Sequence, residues 1–357
     1  MRRDGTGRAV DVGNAENETN GVSRANEAHS EPDQRSDRRA MRSRSPAQPG
    51  GAGMRIGIDL GGTKTEVAVL DRDGRFVLRR RAPSPREDYQ ATVDLIARLV
   101  GEAEDAAGEA CTVGVGIPGA ISPASGLVKN ANSSWLNGRP LPRDLQAALG
   151  RPVRIQNDAN CLAMSEATDG AAAGAHCVLA LILGTGVGAG ICVGGQVLGG
   201  RNAIAGEWGH NPLPPATDDS DPLLTNCRCG RRGCVETWLS GPGLADDFRR
   251  HDGGATTRVA PVDAKGVFGL AEAGDEDAAA AVDRWLGRLA RSLATAINVL
   301  DPDVVVLGGG LSNAPIVYRE LPRRWGAHIF SDRIDTPVRP AAHGDSSGVR
   351  GAAWLWT

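Results

Sequence analysis

The sequence predicts an α/β protein of two packed lobes, and three observations lead to that expectation. Strand-like apolar alternation and helical spacing succeed one another from Met54 onward. Two short glycine-rich hairpins recur, at residues 56–65 and 181–190. At 357 residues the chain is long enough for two lobes with a sizeable core.

The elements follow in order. Residues 1–53 are polar, lack hydrophobic periodicity and are expected to be disordered, ending in the flexible link Pro49-Gly-Gly-Ala-Gly53. Ile56, Ile58 and Leu60 alternate, as do Val67 and Val69, giving a hairpin turned at Gly61-Gly62. Asp71-Arg-Asp-Gly74 turns into a further strand. Thr92, Val93, Leu95, Ile96, Leu99 and Val100 sit at helical spacing and should cover a sheet face. Val113-Gly-Val-Gly-Ile117 reads as a buried strand stopped by Pro118. Val153-Arg-Ile155 is another strand, followed by Asn157-Asp158 and a helix from Ala159. The second hairpin begins near Val178, and residues 278–300 carry a long apolar stripe through Trp285, Leu289 and Leu293. Residues 304–307 form a buried strand leading into Gly308-Gly-Gly310. Residues 346–356 close the chain as a helix with Asp345 or Ser346 as N-cap.

Bulk properties narrow the function. A net charge of −3 gives no field suited to nucleic acid. No apolar run could span a bilayer, and the N-terminus lacks a secretory pattern. Seven cysteines, three of them crowded together, suit a cytoplasmic protein with one metal site better than a disulfide scaffold.

Five constellations bear chemistry. Each glycine-rich turn can face an anion with bare backbone, and only the first carries a carboxylate, Asp59, to hold a metal ion beside phosphates. Cys227, Cys229 and Cys234 with His210 form a Cys₃His set for a closed, structural zinc site, with Gly230 and Gly233 permitting the turns. Asp158 at a strand end is either a helix cap or a general base, with Asn157 beside it to bind a neighbouring hydroxyl. Glu207 and Glu236 lie on the loops that such a metal would fix; they are rigid acceptors for a polyhydroxylated ligand or else solvated surface groups. Gly308-Gly309-Gly310 brings backbone close to a flat ligand such as adenine, or is a plain turn. The G-x-G-x-x-G match at residues 114–119 is set aside, because Pro118 disfavours helix there and no acidic residue stands at the ribose distance.

These motifs, together with Gly116-Ile-Pro-Gly119, Lys129-Asn-Ala-Asn132, Asn157-Asp-Ala-Asn160, Gly206-Glu-Trp-Gly-His-Asn-Pro212 and His343-Gly-Asp-Ser-Ser-Gly348, resemble the ROK family of bacterial sugar kinases and repressors. Within it the chain looks most like the fructokinases, also called manno(fructo)kinases. The resemblance spans Met54 to Trp356 and implies an actin-like, ribonuclease H-like ATPase fold. Its lobes would be residues 54–166, completed by a C-terminal helix over 343–357, and residues 167–342 with the zinc loop at 210–236. It implies Asp158 as catalytic base, and Gly119, Asn132, Asn157, Glu207, His210 and Glu236 as sugar contacts. It places Asp59, Gly61, Gly62, Thr63, Lys64, Gly184, Thr185, Gly186, Gly308, Gly309 and Gly310 on the MgATP side, with Mg²⁺ and ATP as cofactors and Zn²⁺ as a structural ion. The implied reaction is phosphorylation of the 6-hydroxyl of D-fructose, with mannose as a second substrate, by a homodimer without nucleic-acid or membrane partners. Glucokinase or N-acetylhexosamine kinase is the alternative; a sugar-responsive regulator would need a DNA-binding domain that residues 1–53 do not resemble.

Overall fold

The alternation at Ile56, Ile58 and Leu60 becomes β1 (Arg55–Leu60), which folds back antiparallel as β2 (Lys64–Leu70) and again as β3 (Phe76–Pro83). The computed structural model describes residues 53–216, 225–251 and 262–356. The tail expectation over residues 1–52, and residues 217–224 of the expected zinc loop, lie outside the described residues. Helix α1 (Tyr89–Ala107) buries all six residues picked out by its spacing and is capped by Asp88, which accepts the Ala91 N–H. Strand β4 (Thr112–Ile117) then pairs parallel with β1. A small ribbon of β5 (Ala120–Ile121) and β6 (Val128–Lys129) follows, then α2 (Leu141–Leu149) and β7 (Val153–Asn157), which is parallel to β4.

After α3 (Asp158–Thr168) the same plan is repeated. Strands β8 (Cys177–Leu183), β9 (Val187–Val193) and β10 (Gln196–Val197) form a second antiparallel meander. Four helices come next: α4 (Glu236–Leu239), α5 (Gly241–His251), α6 (Ala264–Glu272) and α7 (Glu276–Leu300). Strand β11 (Val304–Gly308) joins parallel to β8, and α8 (Pro315–Trp325) leads to β12 (Val338–Pro340), parallel to β11. The two sheets have orders β3-β2-β1-β4-β7 and β10-β9-β8-β11-β12, so the two glycine-rich hairpins are equivalent corners of one repeated unit.

The chain closes with α9 (Ser347–Trp354), preceded by a 3₁₀ turn at Gly344–Ser346. Ser346 occupies the cap position but its side chain makes no capping bond, because the 3₁₀ turn already engages the backbone there; Asp345 is not the cap. Helix α9 packs on β1 and β4 of the first sheet. Helix α3 packs on β8 and β9 of the second sheet, although it follows β7 of the first in sequence. The two helices also pack on each other, so the layers run sheet, α9, α3, sheet. Glycines stand at each step: a Cβ on Gly57 or Gly114 would overlap backbone of α9, one on Gly351 would overlap the Cys161 carbonyl of α3, and one on Gly190 would overlap the Ala159 carbonyl. All four overlaps fall well inside the 3.0 Å that real Cβ atoms respect, and they are with main chain, which cannot swing aside.

Gly351→Ala should therefore destabilise the fold by on the order of 3 kcal/mol or more in urea unfolding. Gly101→Ala, in α1 with nothing near its Cβ position, should be neutral or stabilising by about 0.5–1 kcal/mol. Equal effects of the two changes would contradict the close-packed stack.

Candidate active site

One register row crosses the first sheet and ends at Gln156, which lines the site. Arg81 pairs with Glu66, Glu66 with Asp59, Asp59 with Gly116, and Gly116 with Gln156. Because side chains alternate with a period of two, members of one row face the same side. Two residues past Gln156 the strand becomes helix, with Asn157 as N-cap and Asp158 as the first helical residue. Asn157 Oδ1 accepts the Ala159 N–H at 2.9 Å, and its Nδ2 donates to the Gly119 carbonyl at 3.2 Å. The capping role left open for Asp158 thus falls to its neighbour, although Asp158 Oδ1 also accepts the Ala159 N–H at 2.8 Å. Asn157 in turn has its oxygen and one N–H engaged by the protein, so it holds the turn as much as it faces a ligand.

Burial is the main reason the Asp158 carboxyl is pushed up to about 6; Glu207 adds like charge, while the Ala159 N–H and Asn157 oppose the shift. Asp59 is raised to about 7 by burial, then by the charges of Asp158 and Glu66, with Lys64 and Arg81 opposing. The start of α9 presses on it, since a Cβ on Gly348 would come within 3.0 Å of Asp59 Oδ2. Asp59 is thus a hard oxygen donor of the kind that suits a divalent cation such as Mg²⁺, while Glu66 has its two oxygens held by Arg79 and Arg81.

A cleft of about 1000 Å³ opens above Asp158. Its walls include Gly119, Asn132, Asn157, Asp158, Glu207, His210 and Glu236, the whole set expected to contact a sugar. Thr185 and Gly186 of the second glycine-rich turn also line it. Asp59, Gly61, Gly62, Thr63, Lys64, Gly184, Gly308, Gly309 and Gly310 do not. They lie at the ends of β1, β2, β8 and β11, where Gly61 N–H closes the first turn on the Lys64 carbonyl and Gly309 packs on Leu183. The reading of Glu236 as a solvated surface group fails. It is buried, its Oε2 accepts the Val187 N–H at 3.0 Å, and Arg228 bridges both of its oxygens. Glu207 is half-buried and meets His210 Nε2 at 4.0 Å. Arg228 and Arg231 of the cysteine loop also face the cleft. Neither was singled out by the sequence reading, because their only signal is a position between cysteines.

His210, Cys227, Cys229 and Cys234 bring their ligand atoms within 4.8 Å of one another. The Cys229–Cys234 sulfurs stand 3.6 Å apart, as do Cys227 Sγ and His210 Nδ1. Bonds of ~2.3 Å to a tetrahedral ion give edges of roughly 3.7 Å, so the four residues fit zinc and leave no open position. All three thiols are free rather than disulfide-bonded. Gly230 and Gly233 have φ of 84° and 70°, the left-handed turns the spacing anticipates. His210 turns Nδ1 to the sulfurs and Nε2 toward Glu207, so one imidazole can serve loop and cleft together.

The sequence profile of the ROK family matches residues 55–357. The chain belongs to the ROK family. It is 42% identical over 308 residues to an N-acetyl-D-glucosamine kinase of Yersinia pseudotuberculosis, covering 85% of this chain and 98% of that protein. Among solved structures it resembles a ROK hexokinase from Thermus thermophilus, with a TM-score of 0.73, 33% identity, and coverage of 84% of this chain and 97% of that one. It likewise resembles a ROK family glucokinase from Streptomyces griseus, with a TM-score of 0.70, 28% identity, and coverage of 85% and 99%. The family and its actin-like architecture agree with the expectation. The fructokinase branch finds no such support, because the relatives at this level of identity carry the N-acetylhexosamine alternative. No helix among the described residues is long and apolar enough to cross a membrane.

The raised Asp158 value has a consequence for stability. Its folded-state value of about 6 exceeds the ordinary 3.8, so stability is fully present below the lower value and is lost as pH rises through the upper one. Asp158→Asn removes that loss. At pH 8 the variant should unfold at a higher temperature than the wild type, and the gap should close as pH falls toward 4. Identical midpoints at pH 8 would contradict burial of the charged group.

Proposed function

We propose that this ROK protein is an ATP-dependent sugar kinase that phosphorylates the 6-hydroxyl of N-acetyl-D-glucosamine. The observation that carries the reading is Asp158, half in a helix terminus and half in a polar cleft, surrounded by every residue expected to touch a sugar. Similarity at 42% identity to an N-acetyl-D-glucosamine kinase, over nearly its whole length, supports that sugar over fructose. The same cleft has Ile121, Ala203 and Ile204 in its walls, apolar surface that an acetyl methyl can use and a plain hexose does not need.

In this reading Asp158 Oδ1 stays bonded to the Ala159 N–H, and Oδ2 takes the proton of the attacking hydroxyl. The hydroxyl oxygen forms its bond to the terminal phosphorus as the bond to the leaving ADP oxygen breaks. A carboxyl value near 6 leaves Asp158 charged at neutral pH yet basic enough to accept the proton. Glu207, His210 and Glu236 orient the ring through its other hydroxyls. Asp59 would hold Mg²⁺, which when bound neutralises charge on the phosphates. The backbone of Thr185 and Gly186 faces the same cleft and can donate to phosphate oxygens. His210, Cys227, Cys229 and Cys234 would hold zinc, which fixes the loops bearing Glu207 and Glu236.

Three measurements test this. In a coupled ADP-release assay, kcat/KM for N-acetyl-D-glucosamine should exceed that for fructose by about 10²-fold, because a sugar without the acetyl methyl leaves the apolar walls at Ile121, Ala203 and Ile204 uncovered. A preference for fructose or glucose would overturn the substrate, and inertness toward every hexose would overturn the kinase. Asp158→Asn should lower kcat by a factor on the order of 10²–10⁴ with sugar affinity little changed. Elemental analysis should find one zinc per chain, absent from Cys234→Ser, whose sugar KM rises; a metal-free, fully active wild type would remove the ion from the account.

A further inference from the structure

Glu236 is the meeting point of three parts of the molecule that its sugar-contacting role does not explain. It lies two residues after the ligand Cys234. One of its oxygens, Oε2, accepts the Val187 N–H, the first residue of β9 after the second glycine-rich turn. The turn is pressed on the same oxygen, since a Cβ on Gly186 would come within 2.8 Å of it. Arg228 donates to Oε1 at 3.0 Å through Nε and to Oε2 at 3.3 Å through Nη2. Arg228 is the residue between Cys227 and Cys229, so both of its chain neighbours are ligands in the cysteine cluster. Planar, two-point binding of a carboxylate by guanidinium fixes orientation as well as distance. Glu236 is buried while the Arg228 side chain is half-exposed, so the arginine reaches in from the loop to hold a carboxylate that cannot leave.

We propose that Arg228 is a positioning residue linking the Cys₃His loop to the phosphate-facing turn: the loop sets Arg228, Arg228 sets the Glu236 carboxylate, and Glu236 pins the Val187 N–H. The site thereby couples its two substrates through one side chain, with a metal-fixed loop as the anchor. The inference rests on the sugar-kinase reading for which ligands are affected, but not for the relay itself.

The relay is tested first in the free, metal-loaded full chain by amide hydrogen exchange. In Arg228→Ala, with zinc content unchanged, the Val187 amide should exchange about ten-fold faster, and removing the metal from Arg228→Ala should add little. Arg228→Lys should restore part of the protection, since one charged donor remains. Binding is then measured by calorimetry with N-acetyl-D-glucosamine and with a non-hydrolysable ATP analogue plus Mg²⁺. Arg228→Ala and Glu236→Gln should both weaken the analogue several-fold. If Arg228 instead attracted phosphates directly, Glu236→Gln would leave the analogue's affinity unchanged or improve it, and the relay would be wrong. It is equally overturned if Val187 exchange is unchanged in Arg228→Ala, or if that variant loses its zinc. Should the wild type bind neither ligand, the kinase reading falls while the exchange result still decides the relay.

Discussion

Main-chain contact between α3 and α9 is the constraint on which the rest of the molecule depends. Each helix lies against one of two matching sheets, and the helices lie against each other, with glycine at each interface. Packing at that distance has no slack, so the head of α3 is placed against the first sheet by geometry rather than by loops. Asp158 occupies that head. Asp59 sits at the end of β1 under the start of α9, which is why the two carboxylates influence each other across elements 99 residues apart in sequence (158 − 59). Glu166, buried near the far end of α3, accepts the Ser347 hydroxyl and the Ala342 N–H, tying the end of α3 to the start of α9.

The site is assembled at a cost to stability. Two carboxyls held well above their ordinary range oppose folding at neutral pH, and they stand where the proposed phosphoryl transfer would use a base and a cation ligand. The cysteine loop offsets a different problem. Glu207 opens a short 3₁₀ turn and Glu236 the four-residue helix α4, and a metal held by the cluster between them would fix both short elements. Short bridges, Pro212 with Cys234 and Asn226 with Arg232, stitch the loop to itself.

Much of this was legible from residues alone, for identifiable reasons. The two hairpins declared themselves because alternation and glycine punctuation coincide, and the cysteine cluster because its spacing has few other uses. The destination of α3 was not legible. Its residues from Ala159 to Glu166 are all buried, so the helix has no polar face from which to read which sheet it covers. Elements of two to four residues, such as β5, β6, β10 and α4, are too short to show a period. Adjacent Asn157 and Asp158 both suit a cap, and only coordinates divide the roles between them. The branch of the family was not legible, because related hexoses differ by few contacts, and those contacts come from residues spread over several loops.

The claim at the centre is that a half-buried carboxylate at the head of α3 takes the sugar proton. The most direct measurement is the pH dependence of kcat/KM for N-acetyl-D-glucosamine in the wild type and in Asp158→Asn. The wild type should lose activity with unit slope below about pH 6, where Asp158 becomes protonated, and the residual activity of the variant should lack that limb. A flat wild-type profile down to pH 5, or the same limb persisting in the variant, would contradict the account.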